Sequence, residues 1–165
     1  AVSSPKVINL MNNIVQTHHD VQTELTAEQQ ERINDYAQKG NEEIDNENYE
    51  HAIGWFSKAL EFVPEPKDKW EATGWLCASI GDACFNVQDY DIGLANLHRA
   101  YNVYGPDEEN PFVLLRLGQC YFHLGDCERA EMYLYQAYLL EGSDMFEDET
   151  LYFDFLKSRH DIQTK

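Results

Sequence analysis

The chain has 165 residues, 43% of them hydrophobic, and carries 30 acidic against 12 basic side chains for a formal net charge of −18. The length sets about one domain with a sizeable core. The charge argues against nucleic acid or an anionic membrane as partner, because both would be repelled at long range, and it favours a basic protein; the alternative is that it only keeps the chain soluble.

At the start, Ser4 and Pro5 form a cap and first-turn pair, and Val7, Leu10, Met11 and Ile14 follow as an apolar stripe, which predicts a helix from about 5 to 20. His18, His19 and Asp20 close it, but adjacent residues on a helix diverge by about 100°, so a solvated helix end is the expectation rather than a metal site. The opening AVSSPKVINLMNN lacks the charged-then-apolar order of a secretion signal. Its first residue is Ala rather than Met, which leaves open that a signal was removed.

Thr26 with Gln29 has the form of a capping box and opens a helix to about Asn46 through Ile33, Tyr36, Ala37 and Ile44. A second helix from about Tyr49 stops at Val63, because Pro64 and Pro66 cannot continue it. Helices from about 70 to 87 and 90 to 104 follow, the latter ended by Gly105 and Pro106. The run NPFVLLRLGQCYFHLGDCERAEMYLYQAYLLEG, Asn110 to Gly142, reads as a helical hairpin turning at Leu124, Gly125 and Asp126. A last helix, from about 147 to 160, carries Leu151, Tyr152, Phe155 and Leu156, with acids at its start and Lys157 and Arg159 near its end, as the helix dipole favours. Cys77, Cys84, Cys120 and Cys127 make no CxxC and fall inside the expected helices, so reduced, largely buried thiols and a reducing compartment are the default.

One spacing recurs three times: Gly40, Ala52, Phe56, Ala59; then Gly81, Gly93, Leu97, Ala100; then Gly118, Ala130, Leu134, Ala137. Around these stand Tyr36, Tyr49 and Pro64, then Ile80 and Tyr90, then Leu117 and Tyr121, and the whole resembles the tetratricopeptide (TPR) repeat over roughly Ile33 to Gly142. The second and third copies lack the closing proline and have Cys77 and Leu114 where the family prefers a bulky aromatic, and Pro64 to Lys69 lengthens the first spacing beyond the ordinary repeat. The fold expectation is all-α: a right-handed TPR solenoid of three helical hairpins with an N-terminal helix and a C-terminal capping helix. The expected divisions are an N-terminal extension over 1–25, three repeats at about 33–66, 74–106 and 111–142 within 26–145, and a cap and tail over 146–165.

No catalytic constellation stands out. There is no glycine-rich phosphate loop, HExxH or GxSxG, the six histidines are scattered, and acidic pairs such as Glu42 and Glu43 read as solvated faces. The chain is therefore expected to be neither an enzyme nor a metal or cofactor protein. No run reaches the roughly 18 apolar residues that cross a bilayer.

In stacked TPR hairpins the first helix of each repeat lines a concave groove, so the resemblance implies a binding face. Carried over residue by residue, that face comprises Asn34, Ala37, Asn41 and Ile44; Trp75, Ala78, Asp82 and Phe85; and Phe112, Leu115, Gln119 and Phe122. Four aromatics rimmed by polar groups would act as anchors; alternatively Phe85 and Phe122 only pack between repeats, or the last helix fills the groove. Arg116 is counted with this face, and it and Asn41 match the family's carboxylate clamp, but Ala37, Ser79 and Phe112 replace its Lys, Asn and Lys, so chaperone-tail binding is not expected.

The chain is similar to small free-standing acidic bacterial TPR proteins, through NPFVLLRLGQCYFHLGD and FEDETLYFDFLKSR. That resemblance implies a cytoplasmic immunity protein, a monomer or weak homodimer, that neutralises a basic toxin. The alternative is a class II type III secretion chaperone, or another TPR adaptor, that holds a secreted client.

Overall fold

The computed structural model describes residues 22–162, and the helix expected over 5–20 lies outside them. The described residues form seven α-helices: α1 (Ala27–Asp45), α2 (Tyr49–Glu61), α3 (Glu71–Asn86), α4 (Tyr90–Tyr104), α5 (Pro111–His123), α6 (Cys127–Glu141) and α7 (Thr150–Arg159). Short 3₁₀ turns at Lys67–Lys69 and Ser143–Phe146 connect them.

Local chemistry sets most of the boundaries. The capping box is formed: the Gln29 amide donates to Thr26 Oγ1 at 3.1 Å, and the Thr26 amide donates to Gln29 Oε1 at 2.9 Å. Asn110 accepts from the Phe112 and Val113 amides with Pro111 in the first turn of α5, and Asp89 and Asp126 cap α4 and α6. Gly105 and Gly142, both at φ 78°, end α4 and α6 in the left-handed region that favours glycine. Lys67 caps the end of α2, its Nζ donating to the carbonyls of Val63 at 2.6 Å and Leu60 at 3.0 Å. The segment after Pro64 is thus a lysine-capped turn, and Trp70 is the residue that precedes α3.

The helices pack in sequence as the pairs α1 with α2, α3 with α4 and α5 with α6, and α2 also packs on α3, and α4 on α5. In each pair a glycine of the first helix faces a large side chain of the second. A Cβ placed on Gly40, Gly81 or Gly118 would lie 2.5 Å from Phe56, 2.5 Å from Leu97 or 2.6 Å from Leu134, all shorter than real Cβ contacts. Beside these knobs Ala52, Ala59, Ala100, Ala130 and Ala137 are fully buried. Each hairpin is closed by the same interdigitation, at the register of the recurring spacing.

Two departures from expectation have clear causes. The last helix begins at Thr150 rather than near 147, because Ser143–Phe146 turns to bury Phe146 in the cluster of Leu114, Leu134 and Leu156. Cys127 is exposed, since it occupies the solvated first turn of α6, whereas Cys77, Cys84 and Cys120 are buried. Burial pushes the Cys77 and Cys84 thiols up to about 11 and the Cys120 thiol up to about 12.

Glycine substitutions test this packing in both directions. Gly81→Ala or Gly118→Ala should destabilise by roughly 1–3 kcal/mol, although alanine is the better helix former by about 1 kcal/mol, because the new methyl collides with a buried leucine. Gly54→Ala, in the exposed interior of α2 with nothing within 4 Å, should instead be neutral or stabilising. Urea unfolding midpoints of the three variants read the two signs; equal effects at all three positions would refute the packing account.

Candidate functional site

The expected concave face converges, but most of it is closed. Trp75, Leu115 and Gln119 are fully buried, Asp82 and Arg116 nearly so, and Phe112 is 8% exposed. Ala37 and Ala78 are also buried. The expectation that Trp75 and Phe112 stand open as anchors is therefore corrected. Buried residues run without a break from Ala72 to Cys84 in α3 and from Phe112 to Cys120 in α5. The cause is position: α3 packs on α2, α4 and α5, and α5 packs on α3, α4 and α6. The composition carried this signal, since a helix apolar nearly all round belongs inside.

At the margins, Asn34 is exposed, while Asn41, Ile44, Phe85 and Phe122 are half-buried. Ile44 packs on the first hairpin's core. Phe85 lies 5.9 Å from the Tyr90 ring and 6.1 Å from the His123 ring, so it packs between hairpins. Phe122 meets Tyr152 and Phe155 of α7 edge-on at 5.4 and 5.2 Å, so the C-terminal helix covers that end of the face.

At the centre is a buried polar network. Arg116 Nε donates to Asp82 Oδ1 at 2.9 Å, and its Nη1 donates to Gln119 Oε1 at 2.6 Å. Gln119 Nε2 donates in turn to Glu149 Oε2, whose carboxylate also lies 3.6 Å from Arg116 Nη1. The guanidinium sits 4.3 Å from the Phe85 ring centroid and 5.3 Å from that of Phe112. Glu149 precedes α7 yet makes no side-chain cap there; its carboxylate points into the network instead. A lone arginine in this interior would carry a large desolvation penalty, and two carboxylates, an amide and two ring faces offset it. Arg116 and Asp82 were expected to face a partner; they are bonded inside the protein. Glu149 was not foreseen, because nothing in its local sequence pairs it with a residue on α5.

Two histidines join the aromatic packing. His123 Nε2 is 2.6 Å from Tyr152 Oη with its ring stacked 4.7 Å from Tyr90, and His98 Nε2 is 2.7 Å from Tyr121 Oη. Desolvation lowers the pKa of both: His98 is half-buried and the Arg129 charge adds to the effect, whereas His123 is exposed overall and is desolvated only where neighbouring rings cover it. Among the described residues no group of three or more His, Cys, Asp or Glu could hold a metal ion, and no helix is long and apolar enough to cross a membrane. A shallow depression of about 300 Å³, lined by Glu47, Asn48, Tyr49, Glu50, His51 and Val87, lies beside the α1–α2 turn and gathers no catalytic pairing.

Substitutions of Arg116 should separate charge from shape. Arg116→Ala should cost about 3–5 kcal/mol by leaving buried carboxylates uncompensated, and Arg116→Lys should recover only part of that, because an ammonium lacks the planar fork and ring stacking. Chemical denaturation of both proteins measures it, and full recovery by lysine would contradict the geometry.

The histidines predict a pH dependence. Their folded pKa lies below the ordinary value of about 6.5, so the unfolded chain binds the proton more readily. Stability should therefore be fully present above that value and fall as pH drops through and below it. Urea midpoints across this window should show the fall, and a His98→Gln/His123→Gln double variant should flatten it.

No protein-family model matches the chain, and no curated protein matches it.

Proposed function

We propose that the chain is a non-catalytic, TPR-like solenoid that binds a basic protein along its acidic surface rather than in an open groove. The observation that carries this is how the charge is distributed. Among the described residues Lys67, Arg99, Arg116, Arg129, Lys157 and Arg159 each lie within 4 Å of a carboxylate, so much of the basic complement is neutralised internally. The acids are left in excess, and exposed acids recur where the hairpins join: Asp107 to Glu109 after α4, and Asp144, Glu147 and Asp148 after α6, with Glu65 and Asp68 after α2 already paired with Lys67 and Arg99.

In a stack of antiparallel hairpins these joins fall along one edge. An anionic edge of that kind attracts a cationic partner at long range and sets its association rate more than its lifetime. The role that best suits the family resemblance is immunity, with the chain masking a basic toxin. The secretion-chaperone reading needs an open channel for an extended client, and the burial of Trp75, Phe112 and Leu115 disfavours it.

The test uses the partner captured from the native host and identified by mass spectrometry. Replacing Asp107, Glu108, Glu109, Asp144, Glu147 and Asp148 by their amides should slow association and flatten its salt dependence while leaving dissociation nearly unchanged. Capture of no basic partner, or association rates that the amide variants do not change, would refute the reading.

A further inference from the structure

We infer that the first hairpin carries a second docking surface, built on three cations held over aromatic rings, which takes an acidic polypeptide segment. Tyr36 of α1 stacks on both Trp55 and Phe62, at 5.9 and 5.6 Å between centroids and 19° between planes in each case. The three rings are half-buried, and three exposed cations lie over them. Lys39 Nζ is 4.6 Å and Lys58 Nζ 5.1 Å from the Trp55 centroid, and Arg32 Cζ is 5.8 Å from that of Phe62.

These cations decline the carboxylates that their own helices offer. Glu28 and Asp35 flank Arg32 at helical spacing, Asp35, Glu42 and Glu43 flank Lys39, and Glu61 flanks Lys58. None of the three makes an ion pair among the described residues, although most other cations there do. The recurring spacing sharpens the contrast. The residue before the contact glycine is Ile80 in the second hairpin and Leu117 in the third, both buried, whereas in the first it is the exposed Lys39. The apolar position that packs the later hairpins is here a cation held over tryptophan.

Charge complementarity selects the occupant. Three unpaired cations set close together on a chain of net charge −18 are the place where a carboxylate-bearing segment finds attraction, with half-buried rings beside them for its apolar side chains. Base stacking from a single-stranded nucleic acid is disfavoured, because Tyr36 is already stacked with Trp55 and Phe62 and ammonium groups lie over the Trp55 ring. Occupancy here is independent of any partner at the acidic edge.

The experiment titrates the full chain with a short synthetic peptide alternating Glu and Leu, and with the same peptide carrying Gln for Glu. Intrinsic fluorescence reports it, since Trp70 and Trp75 are buried and Trp55 is the half-buried tryptophan in the patch. The Glu peptide should bind and perturb Trp55, the Gln peptide should not, and Lys39→Glu/Lys58→Glu should weaken binding by about tenfold or more, the scale of one or two charge-assisted contacts. A Trp55→Phe variant should lose the signal while calorimetry still detects binding. Absence of Glu-peptide binding, equal binding of the Gln peptide, or preference for a single-stranded RNA oligonucleotide would overturn the proposal. So would concentration-dependent dimerisation abolished by Lys39→Glu/Lys58→Glu, since the occupant would then be a second copy of this chain.

Discussion

The contact between a glycine on the first helix of each pair and a large side chain on the second is what the rest of the structure depends on. Without a Cβ, Gly40, Gly81 and Gly118 let Phe56, Leu97 and Leu134 press against helix backbone, and the flanking alanines keep the second helix close. Close packing of this kind is intolerant of added volume, so it fixes the position of one helix along the other. Once each pair is closed at the same register, the second helix of one pair presents a repeating surface to the first helix of the next. The contacts of α2 with α3 and of α4 with α5 then follow.

That succession places α3 and α5 in the interior, with neighbours on several sides. Polar groups on such helices must find partners within the protein. Asp82, Arg116 and Gln119 do so with one another and with Glu149, which reaches the network from the segment between α6 and α7. Apolar replacement of a whole buried ion pair is often neutral or stabilising, whereas removal of one partner strands the other charge in the interior. The network joins the C-terminal segment to α5 through Glu149, alongside the apolar contacts of Phe146, Tyr152 and Leu156.

With the interior closed, what stays accessible is the outer surface, where charge is unevenly distributed. Acids gather at the joins after α2, α4 and α6, while Arg32, Lys39 and Lys58 gather over the rings of the first hairpin. Exposed lysines on a highly acidic chain would ordinarily settle beside the nearest carboxylate. Their position over Tyr36, Trp55 and Phe62 leaves three cations unpaired with acids on one patch of the first hairpin.

Much of this architecture was legible in the sequence because its causes are local. The Thr26–Gln29 box, the prolines after Val63, Asn110 with Pro111, and the glycines at 105 and 142 place helix ends through neighbouring atoms, and the recurring glycine spacing marks the three close contacts. The candidate site was not legible to the same degree. Whether Trp75 and Phe112 face a partner or the interior depends on how many helices surround α3 and α5, and no spacing within those helices states that number, although their nearly all-round apolar composition hints at it. The pairing of Arg116 with Glu149, and of three cations with aromatic rings instead of adjacent acids, joins residues that the sequence does not link. Periodicity determined the helices and the register of the hairpins; burial, partner choice and the exposed surface were decided only by the packing of one hairpin on the next.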